Sequence, residues 1–312
     1  MAVDLTQYLV IGISSRALFD LSREDEIFRT QGLKEYEDYQ LENEHVVLKP
    51  GSAFPLVKAI LHLNDVVPGK RQTEVVIMSR NAAETSLRIF NSIEHYQLDI
   101  TRAALTGGAQ LAPYLHAFSV DLFLSLYEDD VQAAINAGVA AALLYEKPEN
   151  PTDETIEQIR IAFDGDAVLF SDEAERIYQE QGLDAFVQHE KLNAKKPLPE
   201  GPFAPLLKAI SYIQSEHTSG PALIRTALVT ARNSPAHERV IRTLRSWNVD
   251  LDETFFLGGM PKGEVLKAFK PHIYFDDQTV HCDHASRYVP TGRVPYMMRP
   301  ASEGNTSHLD ES

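Results

Sequence analysis

The 312-residue chain is 44% hydrophobic and 24% charged, the composition of an ordinary globular protein, which excludes collagen, coiled coil and wholesale disorder. Its 29 Lys and Arg against 45 Asp and Glu leave a net charge of −16, so nucleic acid and anionic membrane are excluded as expected partners. The longest apolar runs, such as Val139 to Tyr145, fall well short of the roughly 20 residues a membrane span needs. No secretory leader is expected, and the single cysteine, Cys282, points to a reducing, cytoplasmic setting.

In chain order, the short apolar runs Tyr8 to Ile13, Val75 to Met78 and Leu122 to Leu126 predict buried parallel strands. Ile161 to Phe163, Ala227 to Val229 and Ile273 to Phe275 predict the same further on, while Phe203 to Ile213 and Val240 to Trp247 carry apolar residues at helical spacing. Strand, helix and strand in series predict a parallel α/β sheet with ligand sites beyond the carboxyl ends of its strands.

The chain repeats itself at an offset of about 150 residues. Ile11 to Phe19 matches Ile161 to Leu169, Gln31-Gly32-Leu33 matches Gln181-Gly182-Leu183, and Pro55 to Ile60 matches Pro205 to Ile210 without a gap. After one inserted residue Val75 to Ser79 falls on Thr226 to Thr230, with Ser79 uncertain by one place, and Gly107-Gly108 falls on Gly258-Gly259. The fold expected is therefore α/β with two tandem parallel-sheet units from an internal duplication, residues 1–148 and 156–300. The proline-bearing segment Glu146 to Thr155 reads as a linker, residues 172–200 as a small helical insert of the second unit, and 301–312 as a disordered tail.

The second unit places polar residues after each predicted strand. Asp164 and Asp166 flank a glycine directly after a buried strand, which suits a nucleophile and a general acid on either side of one phosphorus. Thr230 ends the next strand ahead of Ala231 and Arg232, Lys262 follows Gly-Gly-Met-Pro, and Asp276-Asp277 ends Ile-Tyr-Phe. Each alone has a plainer reading: a surface acidic turn, a solvated helix start at Lys262, a cap at Asp276 and Asp277.

Together, in this order, they resemble the four motifs of the haloacid dehalogenase superfamily of phosphohydrolases. Ile11 to Phe19, Ala162 to Glu173, His189-Glu-Lys191, Leu244 to Trp247 and Pro271 to Asp277 are similar to the cytosolic 5′-nucleotidase type I family over nearly the whole chain. The resemblance implies two haloacid-dehalogenase-like, Rossmann-type units and magnesium-dependent hydrolysis of nucleoside 5′-monophosphates such as AMP. It implies Asp164 as nucleophile, Asp166 as acid and base, and Thr230, Ala231, Arg232 and Lys262 as phosphate holders. Asp164, Asp166, Asp276 and Asp277 would hold Mg2+. The chemistry agrees, since a carboxylate attacking a phosphate dianion meets about 4 kcal/mol of repulsion per charge pair near 4 Å, which a hard cation and a lysine offset. Asp166, set among other carboxylates, is expected to have a raised pKa.

His189 and Lys191 in the insert are candidate substrate contacts, although a charged helix face explains them and Glu190 as well. His281-Cys282-Asp283-His284 reads as a surface helix, a soft metal site usually needing more thiolate, and Trp247 reads as core. The first unit carries Ser14, Ser15 and Arg16 in place of Asp164, Gly165 and Asp166, Leu111 for Lys262, and Ser125 and Leu126 for the two aspartates, with Asp130 nearby. It is expected to be catalytically dead. Its hydroxyls, Arg16 and Gly107-Gly108 suit a regulatory phosphate or nucleotide anion, or a purely structural half, and the resemblance implies a nucleoside diphosphate effector without locating its site. A homo-oligomer is a further open expectation. The rivals for the whole chain are a phosphatase of another small metabolite phosphate and a non-catalytic nucleotide-binding regulator.

Overall fold

The computed structural model describes residues 3–66, 69–145, 158–217 and 222–297, so the expected linker and tail lie outside the described residues. Among these residues the strands, in chain order, are β1 (Leu9–Ile13), β2 (Phe19–Asp20), β3 (Lys49–Pro50), β4 (Thr73–Ser79), β5 (Arg102–Leu105), β6 (Leu122–Ser125) and β7 (Ala140–Leu144). They continue with β8 (Ile159–Phe163), β9 (Ile224–Thr230), β10 (Glu253–Phe256), β11 (Ile273–Asp276) and β12 (Thr291–Arg293). The six predicted strands are all present, within a few residues. The runs Ala204–Glu216 and His237–Ser246 are helical as their spacing predicts. No helix among the described residues is long and apolar enough to cross a membrane.

Ten strands form one sheet in the order β10-β9-β8-β11-β12-β7-β6-β1-β4-β5. The order β5-β4-β1-β6-β7 in one half recurs as β10-β9-β8-β11-β12 in the other, and every neighbouring pair is parallel except β12 with β7. The parallel strands of the two expected units thus lie in one continuous sheet. Antiparallel pairing of β7 with β12 covers what would be two open edges, whose unpaired N–H and C=O groups would otherwise face solvent. The apolar run from Val139, too short for a membrane, supplies β7.

The helical insert needs correcting, because both halves have it. Ser22–Gln31 and Leu33–Glu42 form a helical pair in the first half, broken at Gly32 with φ 105°. Glu173–Leu192 is its counterpart, broken at Gly182 with φ 84°. Both breaks use backbone conformations that glycine adopts without a Cβ penalty.

The halves differ in the turn after the central strand. Phe19 N–H reaches back four residues to Ser15, whereas Phe170 N–H reaches back five to Gly165 at 2.9 Å, with Ala167 at φ 60°. Phe19 pairs with Pro50 and Phe170 with Glu200. Phe19 therefore matches Phe170 and not Leu169, so the gap-free pairing fails by one residue here. Single wide turns of this kind recur at functional sites.

The turn is stitched down from below. Gly201 N–H donates to Leu169 C=O at 2.9 Å and Phe203 N–H to Val168 C=O at 3.0 Å. Phe163, Phe203 and Phe275 pack beneath it, the rings of Phe203 and Phe275 having centroids 4.7 Å apart. A Cβ on Gly201 would lie 2.3 Å from the Phe170 carbonyl oxygen and 2.4 Å from that of Val168. Since both obstacles are backbone, Gly201→Ala is expected to cost roughly 2–3 kcal/mol of stability. Urea denaturation checks this, and an unchanged midpoint would show that the turn gives way freely.

Candidate active site

Strand β8 ends in the buried apolar run Ile161 to Phe163, and the first polar residue after it is Asp164, 5% exposed. Asp164 N–H donates to Phe275 C=O at 2.8 Å, fixing the start of the turn to the neighbouring strand. Lys262, expected on the plainer reading to be a solvated helix start, is buried at the head of the helix Gly263–Phe269. Its Nζ lies 2.8 Å from Asp164 Oδ1 and 2.7 Å from Asp276 Oδ2. Thr230 ends β9 fully buried beside this turn; a Cβ on Gly165 would sit 3.2 Å from its Oγ1. The uncertain pairing of Ser79 is settled by the same geometry: Thr106 N–H donates to Ser79 C=O as Leu257 N–H does to Thr230 C=O.

Asp276 Oδ1 accepts from Gln278 N–H at 2.9 Å, and its Oδ2 accepts from Tyr274 OH as well as Lys262. His281 Nδ1 stands 3.3 Å from that Oδ2. Asp277 accepts from Tyr296 OH through Oδ2, while its Oδ1 is buried without a hydrogen-bond partner. One oxygen from each of Asp164, Asp276 and Asp277 falls within 4.8 Å of the others. Burial lifts the Asp164 carboxyl to about 6 even with Lys262 beside it. Burial first, then the charges of Asp164 and Asp276, lift Asp277 to about 8. Burial acts on Asp276 too, but Lys262, His281 and Tyr274 outweigh it and hold that group at about 2. The same carboxylates outweigh burial at Lys262 and hold its ammonium above the ordinary lysine value.

Asp166 lies elsewhere than expected. Its carboxylate leaves the acidic cluster for Arg232, which donates from Nε to Oδ2 at 2.8 Å and from Nη2 to Oδ1 at 2.7 Å. The crowding of carboxylates falls on Asp164 and Asp277 instead. Arg232 is buried and gives its remaining reach, Nη1, to Glu190 Oε2 at 2.5 Å, while Ala231 beside it is exposed. In the insert, His189 is half-buried, its ring nitrogens 3.8 Å from Glu173 and 3.3 Å from Glu190, and Lys191 is exposed.

Residues 281–284 lie on the helix Thr279–Ala285 with Asp283 and His284 exposed, as a surface helix, but Cys282 turns inward, fully buried, with its thiol donating to Asp276 C=O at 3.4 Å. Trp247 packs on Phe170 with Lys208 over its ring, as a core-edge residue. In the first half Ser15 Oγ meets Ser79 Oγ at 3.1 Å, Ser14 is buried, Arg16 pairs with Asp25 at 2.9 Å, and Asp130 pairs with Arg80. The cation expected to receive an anion is thus already engaged by a carboxylate.

From sequence alone Tyr274, Tyr296 and Arg239 do not stand out, and His281 reads as part of a surface helix. Tyr274 was within reach, since two residues before Asp276 on a strand is the same face; Tyr296 and Arg239 carry no local signal.

The fold and site define an α/β protein with a buried acid and lysine constellation at the carboxyl ends of its parallel strands. The chain belongs to the 5′-nucleotidase family, whose description matches residues 1–301. It is 40% identical over 291 residues to human cytosolic 5′-nucleotidase 1B, covering 89% of this chain and 47% of that one, so it spans about half the length of this curated relative. Among solved structures, a chain of the Pnkp1/Rnl/Hen1 complex is 11% identical with a TM-score of 0.32, covering 93% of this chain and 96% of that one. Histidinol dehydrogenase from Elizabethkingia anophelis is 10% identical with a TM-score of 0.21, covering 78% and 49%. Scores this low carry no argument.

Proposed function

We propose that this chain hydrolyses nucleoside 5′-monophosphates to nucleoside and phosphate, with Asp164 as nucleophile and Asp166 as acid and then base. The observation that carries the reading is Asp164 buried at the end of β8 against Lys262, with Asp166 two residues on and held apart from it by Arg232. The relative's name, a cytosolic 5′-nucleotidase, supports the substrate class. An Asp164 oxygen attacks phosphorus as the bond to the 5′-oxygen breaks, and that oxygen leaves with the electron pair and takes a proton from Asp166. Water then attacks the aspartyl-phosphate, Asp166 receives its proton, and phosphate departs from Asp164. Lys262 offsets the charge on the phosphoryl oxygens, and the Thr230 hydroxyl donates to one of them.

The donor set fits Mg2+. It consists of oxygens, which that hard ion prefers, and it includes the unpartnered Asp277 Oδ1. Asp164, Asp276 and Asp277 would hold the ion, with the Asp166 backbone carbonyl as a further oxygen. When bound it supplies positive charge against the substrate dianion.

We also propose that the halves are copies of one unit, the first of them catalytically dead. Arg88 Nε donates to Val46 C=O as Arg239 Nε does to Lys196 C=O, and Leu48 N–H donates to Ser92 Oγ as Leu198 N–H does to Thr243 Oγ1. The matching strand order supports the same reading.

The test of function is phosphate release from a panel of nucleoside 5′-monophosphates, sugar phosphates and an aryl phosphate, with Mg2+ supplied. The nucleotides are expected to exceed the others in kcat/KM by at least about tenfold, the scale of about 1.4 kcal/mol in transition-state binding. Equal rates throughout would favour a general small-metabolite phosphatase, and no turnover at all a binding protein.

A further inference from the structure

Glu190 is a fully buried acid on the insert that the mechanism above does not use. It is 1% exposed, and both of its oxygens are taken by arginine: Oε2 by Arg232 Nη1 at 2.5 Å and Oε1 by Arg239 Nη1 at 2.9 Å. Phe186, one turn earlier on the same helix, lies under the Arg232 guanidinium at 5.5 Å. The remaining donors of Arg232 grip both oxygens of Asp166. We infer that Glu190 is a positioning residue, which through Arg232 sets the Asp166 carboxylate for proton transfer to and from the 5′-oxygen and water. The inference rests on the acid and base role proposed for Asp166.

The first half supplies an internal control. There Gln40 stands in the place of Glu190, 3.4 Å from Arg88 Nη1, and Arg88 anchors the insert by its bond to the Val46 carbonyl. Arg239 does the same in the second half through the Lys196 carbonyl, with Glu173 3.5 Å from its Nη2. Arg88 also takes the buried Glu24 carboxylate, so the first half seats its helical insert with an amide at this position and a carboxylate at another. Asn81, two residues beyond the end of β4, stands in the place of Arg232, two residues beyond the end of β9, and Arg16 replaces Asp166 in the expected pairing. A carboxylate at this particular position, the second arginine and the acid occur together in one half and are absent together from the other. A buried ion pair is expensive to desolvate and is weak evidence for a stability role, whereas fixing a planar fork at both ends is what a well-aimed carboxylate requires.

The experiment compares Glu190→Gln, Glu190→Asp and Asp166→Asn in the full chain on two substrates. AMP has a poor leaving group that needs a proton; p-nitrophenyl phosphate has a good one, and the first-turnover release of p-nitrophenol does not need the acid. Glu190→Gln is expected to lower kcat for AMP by at least about tenfold with KM within about twofold, leaving the p-nitrophenol burst rate within about twofold of wild type. Glu190→Asp, which keeps the charge, is expected to recover part of the loss; Glu190→Gln leaves Arg232 on Asp166 and Arg239 beside Glu173 and is expected to melt lower than wild type while still folding cooperatively. An unchanged kcat for AMP, equal losses on both substrates, or a Glu190→Gln chain that does not fold would each overturn the inference, the last by making the carboxylate structural. Asp166→Asn separates this from the underlying reading: if it spares AMP turnover, or slows both substrates alike, the role of Asp166 itself fails. If it shows the leaving-group selectivity and Glu190→Gln does not, only the positioning role fails.

Discussion

Asp164→Asn is expected to remove turnover by about four orders of magnitude or more, the scale seen when a covalent nucleophile is lost, and to leave a chain that melts no lower than wild type. The stability half of this expectation follows from the site's charges. Asp164 is buried, lifted to about 6, and shares its surroundings with two more carboxylates. Asparagine has nearly its shape and removes one ionisable carboxyl from the three crowded there. Lys262, which loses one partner, keeps Asp276 at 2.7 Å and so remains paired. The same variant tests the first half, where Ser14 and Ser15 stand at the equivalent turn and Leu111 at the place of Lys262. Purified Asp164→Asn with phosphate release above a few per cent of wild type, contamination excluded, would place a second nucleophile in the chain and sink both assignments.

The contrast between Asp164 and Asp166 shows what was legible in advance. The positions of Asp164, Thr230, Asp276 and Asp277 at strand ends could be read, because buried parallel strands are short apolar runs and the first polar residue after each is conspicuous, while Lys262, at a helix head, stood out only in their company. The direction of each side chain could not. Asp166 was expected among carboxylates, but the wide turn after β8 and Ala167 at positive φ carry it to Arg232. A turn with one extra residue has no composition signal, and the repeat alignment ran through it without a gap. Likewise β7 was visible only as an apolar run and β12 not at all. Thr291–Arg293 is three residues with little apolar character, and it becomes a strand because β11 and β7 lie on either side of it. That tertiary pairing joins the two sheets into one. Glu190 looked like part of a solvated helix face because helical spacing gives a face but not what lies against it; Arg239 and Arg232, far along the chain, bury it.

Chelation of divalent metal is expected to lower turnover by about two orders of magnitude or more, with Mg2+ restoring it, and the metal is expected to change the pH dependence of stability as well. Two carboxyls have folded values above the ordinary 3.8, Asp164 at about 6 and Asp277 at about 8. For such groups the unfolded chain gives up its protons first, so between about pH 4 and 8 the folded state binds more protons and is progressively destabilised as pH rises. Asp276, held at about 2, works in the opposite sense, and its contribution is present above 3.8 and lost only as pH falls toward 2. The metal-free protein should therefore lose melting temperature from pH 5 to pH 8 through Asp164 and Asp277. A bound cation reverses the cost of ionising them, and because it competes with their protons, its stabilisation grows across the same interval. The gain in melting temperature from millimolar Mg2+ should be larger at pH 8 than at pH 5. Asp277→Asn isolates the site, since it removes the charge of the group with the unpartnered Oδ1 and still offers Tyr296 an oxygen. Without metal this variant should melt higher than wild type at pH 8, and Mg2+ should stabilise it little. Equal Mg2+ shifts at the two pH values, or an undiminished shift in Asp277→Asn, would place the cation elsewhere than among these three carboxylates.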